Sequence, residues 1–266
     1  MKKLKIILIS LIIICVMGLI GVGSYIFIYY DTMKKADEEY ADLKEYIKTS
    51  DFMNKGDGKE KPILTYEDIE GIKVLEKYGD LYRKNNDFIG WLTIPDTHID
   101  YPVMYAKDDP EYYLHKDFYG NYSYAGCLFA DVNSNPLDTA INNVLIYGHN
   151  MKAGTMFHDL LKYDDESFYK EHKIIRFDTI EELGEYEVIG AFYTQLYSAD
   201  DTSHFHYYEY FAGNKDMFNQ YISFIKSNTG YNTTAVPQYG DKLITLSTCA
   251  YHTKNGRFIV VAKKIN

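Results

Sequence analysis

Two β-rich runs near the C-terminus, joined by a short polar segment, constrain the fold of this chain most strongly. The first run, residues 243–248, is largely apolar, and the second, residues 258–262, is wholly apolar. Apolar runs of this length with a polar segment between them predict two neighbouring strands of one sheet. Cys249 then ends the first strand and Arg257 begins the second, so we expect the two residues to lie side by side at one rim of that sheet.

The pairing of a thiol with a guanidinium group predicts reactive chemistry at this rim. A positive field favours the thiolate form of Cys249 and stabilises negative charge that develops on a substrate oxygen. A thiol nucleophile also needs a proton-transfer partner, which is usually a histidine. A candidate is His149, which follows Gly148 at the end of the apolar run 143–147.

These residues resemble the motifs of a known family. Leu246-Ser247-Thr248-Cys249 with Arg257 eight residues later, and Tyr147-Gly148-His149 far upstream, is similar to the pattern of sortases. Sortases are cell-wall transpeptidases of Gram-positive bacteria. Three further segments resemble class B members: Phe-Ile-Gly-Trp-Leu at 88–92, Ile-Asp-Tyr-Pro-Val at 99–103 and Tyr-Tyr-Leu-His at 112–115. The resemblance covers roughly residues 66–266.

The resemblance implies a role for each residue of the site. Cys249 is the expected nucleophile, His149 the general acid and base, and Arg257 the group that stabilises the carbonyl or the oxyanion. Leu114 and Ser247 are expected to contact the substrate. Ser247 has the same side-chain parity as Cys249 along the strand, so its hydroxyl either shares the substrate groove or faces solvent. The implied chemistry needs no cofactor and no metal ion.

The resemblance also implies the substrates. The donor is a secreted protein with a C-terminal sorting motif of the Asn-Pro-x-Thr kind, which is cleaved after its Thr through a thioester. The acceptor is the amine of a peptidoglycan precursor. Two other functions use the same sequence features: a thiol peptidase that releases the peptide to water, and a non-enzymatic surface module that binds through some of the 28 tyrosines. A formal net charge of −10 argues against a nucleic-acid partner.

Several residues offer alternatives within the site. His252 lies three residues after the thiol, so a short loop could bring it close enough to transfer protons. His204 and His206 form a His-x-His pair, but no third metal ligand follows them at a recognisable spacing. Cys127 could form a disulfide with Cys249 outside the cell, although its apolar surroundings favour a small core residue.

The N-terminus predicts a membrane anchor. Residues 6–30 contain no charge, and a helix of that length spans roughly 37 Å against about 30 Å of hydrocarbon. A cleaved signal peptide is the alternative, but its apolar region is usually shorter and ends at a small-residue cleavage site. Lysines before the run favour a cytoplasmic N-terminus. We therefore expect a protein of the cell membrane. It would have a cytoplasmic tail over 1–5, a single-pass transmembrane signal-anchor over 6–30, and an extracellular remainder.

The extracellular part divides into a connecting segment over 31–63 and a catalytic domain over 64–266. Ala36, Tyr40, Leu43 and Ile47 have helical spacing, which predicts either a stalk or a helix packed on the domain. Residues 50–61 are polar and rich in Gly and Lys, and predict a flexible linker.

The domain is predicted to be mainly β with helical additions. An amphipathic helix is expected from Thr65 to about Lys84, and helical inserts over 155–169 and 215–226, the second just before the Cys strand. Eight short strands separated by turn residues predict a closed, eight-stranded, sortase-like β-barrel. The predicted strands are 88–94, 99–105, 124–130, 142–148, 173–179, 185–196, 241–249 and 257–264.

Overall fold

The computed structural model describes residues 2–47 and 64–266, so the predicted linker over 50–61 lies outside the described residues. Ten strands are present in this part of the chain: β1 (Tyr66–Ile69), β2 (Ile72–Leu75), β3 (Phe88–Thr93), β4 (Asp100–Met104), β5 (Leu128–Ala130), β6 (Asn143–Tyr147), β7 (Ile174–Thr179), β8 (Glu185–Gln195), β9 (Leu243–Cys249) and β10 (Gly256–Lys264). The α-helices are α1 (Lys2–Lys44), α2 (Gly79–Lys84), α3 (Glu166–Glu171) and α4 (Lys215–Asn228). Short 3-10 helices cover Glu76–Tyr78, Tyr112–His115, Phe157–Asp164 and Tyr207–Glu209.

Strands β3 to β10 form a closed barrel, in the order β10-β8-β7-β3-β4-β5-β6-β9. The prediction of an eight-stranded barrel is therefore confirmed. Most pairs are antiparallel, but β4 pairs with β5 and β6 pairs with β9 in parallel. Closure leaves no unpaired edge among these strands, which explains how many short strands form one stable sheet.

The apolar run of β10 is continuous because both of its faces are buried. Phe258, Val260 and Ala262 belong to the main core cluster. Ile259 and Val261 belong to a second cluster, which also contains the α4 residues Phe218, Tyr221, Ile222 and Ile225. Alternate residues of a strand point to opposite faces, so α4 covers the outer face of the β8–β10–β9 region while the barrel interior is filled from the other face.

The predicted helix from Thr65 to Lys84 is wrong in its first half. Strands β1 and β2 form an antiparallel hairpin there, and only α2 is an α-helix. The hairpin turn consists of Glu70 and Gly71, which both have positive φ. Such a two-residue turn matches the twist of paired strands. The three-residue spacing of Ile69, Ile72 and Leu75 suggested a helix, but the turn sets the local structure.

The two predicted helical inserts differ in regularity. Residues 155–169 form a 3-10 helix and then α3, separated by Asp165, whose carboxylate accepts a hydrogen bond from the Ser167 N–H. Buried Met156 and Leu160 support the prediction that this insert packs on the core. The second insert is the regular helix α4, which begins at the predicted residue, Lys215, and ends two residues beyond the predicted end.

Helix α1 is continuous from the apolar N-terminal region into the connecting segment. Among the helices of the described residues, α1 is the one that is long and apolar enough to cross a membrane. Its apolar side chains up to Tyr30 are largely exposed, whereas Met33, Tyr40 and Leu43 are buried. The Tyr40 hydroxyl donates a hydrogen bond to the Gly126 carbonyl. Of the two alternatives for this segment, the structure shows the packed helix, at least up to the end of α1.

The packing of α1 on the barrel is expected to contribute strongly to stability. Leu43 is fully buried, so Leu43→Ala should lower the free energy of unfolding by about 2–5 kcal/mol through lost burial and a cavity. Urea unfolding of the full chain in detergent measures the change. The neighbouring exposed residue gives the matched control Asp42→Ala, for which we expect less than about 0.5 kcal/mol. Equal effects of the two substitutions would contradict the packing of α1.

Candidate active site

Cys249 and Arg257 lie directly opposite each other at the end of the β9–β10 pair. Residues directly opposite on antiparallel strands project to the same side of the sheet with their Cβ atoms about 5 Å apart. Arg257 also pairs with Thr194 of β8, so its backbone is held from both sides. The thiol is free and half-buried. The sequence prediction for the relative placement of these two residues is met by the structure.

Strand β6 brings His149 to the same rim, although this residue is far from Cys249 in the sequence. Tyr147, the last residue of β6, pairs with Ser247 of β9, and the two strands run in parallel. Strands β6 and β9 therefore end at the same edge of the sheet. His149 and Cys249 each come two residues after the last pair, Tyr147 and Ser247. The Thr248 hydroxyl donates a hydrogen bond of 2.7 Å to the Gly148 carbonyl and ties the two exits together.

Gly148 is required by the close packing at this turn. A Cβ atom at this position would lie 2.4 Å from Leu128 Cδ2 and 2.7 Å from Phe157 Cδ2. Since no larger residue fits without a shift of these side chains, the glycine fixes the path of the backbone into His149. The Phe157 N–H then donates to the His149 carbonyl at 2.8 Å.

The His149 ring has a defined orientation. Its Nε2 lies 2.9 Å from the Leu114 carbonyl oxygen. A carbonyl oxygen only accepts hydrogen bonds, so Nε2 carries the proton and Nδ1 is left for proton transfer. His115 stacks on this ring with the centroids 5.4 Å apart. Burial lowers the pKa of His149 below its usual 6.5, the bond to Leu114 opposes the shift, and the nearby His115 adds to it.

This pKa shift predicts a direction in a titration. We expect the NMR midpoint of His149 in the folded chain to lie below 6.5, so that the ring is mostly neutral at pH 7. The unfolded chain takes up the proton first as the pH falls, so the contribution of His149 to stability is complete above about pH 6.5 and is lost below it. His149→Gln should therefore lose less stability than the natural chain between pH 7.5 and 5.5. A midpoint above 6.5 would contradict the prediction that burial lowers the pKa of His149.

Asn150, the residue after His149, connects this segment to the backbone of Cys249. Its side-chain amide donates to the Cys249 carbonyl at 3.0 Å, and its Oδ1 lies 2.8 Å from His158 Nδ1. His158 therefore fixes the direction of the amide. Asn150 was not predicted as a site residue. Its position directly after His149 was the available signal, but a contact with the backbone 99 positions away is not visible in the sequence.

A cleft of about 650 Å³ joins the predicted residues. Cys249, His149, Arg257, Ser247 and Leu114 all lie along its wall. The other lining residues are Pro110, Glu111, Phe129, Asp131, Tyr147, Gly148, Leu196, Tyr197, Ala199, Tyr208 and Thr248. The cleft is thus large enough for an extended peptide and is mostly lined by apolar and aromatic groups, with one guanidinium beside the thiol.

Ser247 and Leu114 differ in what they offer to a ligand. The Ser247 side chain is only 1% exposed, and its hydroxyl lies 2.9 Å from the Tyr207 hydroxyl, so its hydrogen-bonding capacity is directed into the protein. Leu114 is half-buried and contributes its carbonyl to His149. Both residues shape the wall of the cleft, and their contact with substrate stays a prediction.

The positive charge of Arg257 acts to lower the pKa values of two nearby tyrosine hydroxyls. Burial raises the pKa of Tyr207 to about 12, but the hydrogen bond with Ser247 and the positive charge of Arg257 both act in the opposite direction. The same charge opposes the upward pKa shift that burial causes at Tyr147. One N–H of Arg257 donates to the Gly256 carbonyl at 3.0 Å, and a guanidinium has five such donors.

The alternative residues lie outside this cleft. The exposed His252 ring packs against Tyr193 with the centroids 4.9 Å apart. His204 Nδ1 contacts Asp201, and His206 contacts Glu209. Cys127 is a free, buried thiol below α1, 3.4 Å from the Tyr40 hydroxyl, and forms no disulfide with Cys249.

Comparison with known proteins defines the class of protein first. The sortase domain family matches residues 92–265, well over half of the chain. Sortase B of Listeria monocytogenes is 36% identical over 196 residues, which cover 73% of this chain and 76% of that protein. The chain therefore belongs to the sortase family.

Solved structures agree in fold and in class. The crystal structure of sortase B from Bacillus anthracis superposes with a TM-score of 0.70 at 26% identity and covers 89% of this chain and 99% of the other. A Staphylococcus aureus sortase B–substrate complex gives a TM-score of 0.70 at 27% identity, with coverage of 88% and 97%. The protein is accordingly a class B sortase, a cysteine transpeptidase that acts on the cell wall, and the prediction of the family is confirmed.

Proposed function

We propose that this sortase is anchored in the membrane by residues 6–30 and attaches secreted proteins to a cell-wall amine through a thioester on Cys249. The observation that carries the proposal is the convergence of Cys249, His149 and Arg257 on one peptide-sized cleft. The sorting peptide of the donor protein lies in this cleft. The solved structure of the Staphylococcus aureus relative is a complex with a substrate, which supports a substrate-binding role for a cleft in this fold.

The first half of the reaction cleaves the peptide after its Thr. The Cys249 thiolate attacks the Thr carbonyl carbon, and Arg257 donates hydrogen bonds to the oxygen on which negative charge develops. His149 in its protonated form gives a proton to the departing amine. The C–N bond breaks, and the acyl group is left on sulfur as a thioester. Burial lowers the pKa of His149 and so disfavours the protonated form that this step needs.

The second half transfers the acyl group to an amine of a peptidoglycan precursor. A new amide bond replaces the thioester, and the thiol is regenerated. The topology fits this acceptor. The lysines before the uncharged run 6–30 favour a cytoplasmic N-terminus, which supports a barrel that faces the wall outside the cell.

The test separates transfer from hydrolysis. The full chain in detergent micelles is incubated with a fluorescent peptide of the Asn-Pro-x-Thr kind, with and without triglycine as the amine. Mass spectrometry should show the peptide cleaved after Thr, with triglycine joined to the Thr carboxyl group. Cleavage that gives only the hydrolysed acid at every triglycine concentration would favour a thiol peptidase instead.

A further inference from the structure

A side pocket continues the peptide cleft beyond its wall at Ala199. The pocket has a volume of about 350 Å³ and lies between the segment that follows β8 and the helix α4, which contributes Met217 and Gln220. Ala199 lines both the side pocket and the cleft. A peptide that is longer than the part in the cleft can therefore extend into the side pocket.

The geometry of the thiol site indicates which end of the peptide reaches the side pocket. In the proposed reaction, Arg257 binds the carbonyl of the acyl part, and His149 gives its proton to the departing amine. Arg257 pairs with Thr194 of β8, and the wall of the cleft then follows the chain from Leu196 to Ala199. The acyl part of the peptide lies on the arginine side and so runs toward Ala199. The residues that precede the sorting motif therefore come to the side pocket.

Stacked aromatic rings hold the segment between the cleft and the side pocket. The His204 ring lies nearly parallel to Tyr197 with the centroids 3.9 Å apart, and the His206 ring lies nearly parallel to Tyr208 at 5.2 Å. The Tyr208 hydroxyl donates a hydrogen bond of 3.0 Å to the Tyr197 carbonyl. Both tyrosines line the cleft, and both histidines line the side pocket. The stack thus forms a common wall between the two spaces.

The charged groups of the side pocket are acidic. Asp201 Oδ2 lies 2.9 Å from His204 Nδ1, and hydrogen bonds from Ser203 and His204 hold the pKa of Asp201 below its usual value, so this carboxylate stays charged. Glu209 has a side chain that is 62% exposed. None of the lining residues, in the part of the chain that the structure describes, is a lysine or an arginine. The side pocket therefore attracts positive charge.

His206 adds a buried acceptor without a partner. Its side chain is only 9% exposed, and its Nε2 is buried with no hydrogen-bond partner among the described residues. Its Nδ1 lies 3.1 Å from Glu209 Oε1, and a carboxylate only accepts hydrogen bonds, so Nδ1 carries the proton. In the neutral ring, Nε2 is then an acceptor. A buried acceptor without a donor costs free energy, so a ligand that brings an N–H group is favoured here.

We propose that the side pocket binds a basic side chain, lysine or arginine, among the three residues that precede the Asn of the sorting motif. The inference rests on the proposed transpeptidase function and adds a second determinant of its donor specificity. The cation pairs with Asp201 and Glu209, and one of its N–H groups donates to His206 Nε2. The motif itself lies in the cleft, so this contact selects among proteins that share the same motif.

The experiment compares fluorescent peptides of the Asn-Pro-x-Thr kind that carry three lysines, three glycines or three glutamates directly before the Asn. The full chain in detergent micelles cleaves them at pH 7.5 and low ionic strength. We expect kcat/KM to be about fivefold higher with lysines than with glycines, mostly through a lower KM, because half-exposed ion pairs contribute modestly. Glutamates should lower kcat/KM below the value for glycines. Three lysines placed after the motif should raise it by less than about twofold.

Variants of the chain separate the side pocket from the overall negative charge of the protein. Asp201→Asn and Glu209→Gln should each lower the lysine-to-glycine ratio to about twofold, and both amides keep an acceptor oxygen for their present partners. Glu171→Gln makes the same charge change on the exposed surface of α3 and should leave the ratio at about fivefold.

Two results would overturn the inference while leaving the proposed function intact. One is equal kcat/KM for the lysine, glycine and glutamate peptides. The other is a lysine preference that Glu171→Gln lowers as much as Asp201→Asn and Glu209→Gln do, since the preference would then come from net charge alone. If the natural chain cleaves none of the peptides, the proposed function fails first.

Discussion

Cys249→Ala is expected to reduce cleavage of the sorting peptide by about 10⁴-fold or more, because the nucleophile itself is removed. The fold should survive the substitution. The residue is half-buried, Asn150 binds its backbone carbonyl, and the pairing with Arg257 is made by the main chain. Initial rates of peptide cleavage, measured with the full chain in detergent, give the result.

The matched control removes a different thiol. Cys15 is exposed on the apolar part of α1, so Cys15→Ala should retain the full rate. Circular dichroism checks that both variants melt at the temperature of the natural chain. If Cys249→Ala keeps more than about a hundredth of the rate while Cys15→Ala keeps all of it, the thiol is not the nucleophile.

Arg257→Ala should lower the rate of the acylation step by about 10²–10³-fold, the usual cost of losing a donor to a developing oxyanion. Its register opposite Cys249 and its place in the wall of the cleft are the reasons. We expect kcat to fall more than KM rises, because the charge on oxygen is greatest in the transition state. Single-turnover measurements with excess enzyme report this step directly.

Arg257→Lys distinguishes charge from geometry. Lysine keeps the positive charge but lacks the planar fork of donors, so only part of the rate should return. Lys264→Ala, at the far end of β10, removes a cation from the same strand and should change the rate by less than about twofold. A large rise in KM with an unchanged kcat in Arg257→Ala would show that Arg257 binds the peptide and does not stabilise the oxyanion.

Local sequence patterns were enough to predict one side of the site. Strands β9 and β10 are consecutive and are joined by a short polar loop, so their pairing follows from two adjacent β-rich runs. His149 is different, because the parallel pairing of β6 with β9 joins distant parts of the chain. The residues alone offered several histidines, and the resemblance to sortases selected His149 among them.

The sequence patterns failed where a tertiary contact or a turn sets the structure. Glu70 and Gly71 make a tight hairpin turn, which overrides the helical spacing of the apolar residues around it. Asn150 acts through a backbone contact that no side-chain pattern reveals. The amphipathic stripe of α1 predicted a helix, but it could not decide whether Tyr40 faces solvent or the barrel, since both positions allow the same spacing.

The most direct test of the account is the mass of the intermediate. The full chain is mixed with a sorting peptide in the absence of added amine, quenched in acid within seconds, and digested. We predict that the peptide fragment ending in Thr is bound to Cys249 by a bond that hydroxylamine cleaves, as expected of a thioester. An acyl group on any other residue, or rapid cleavage with no covalent adduct at any time point, would contradict the account.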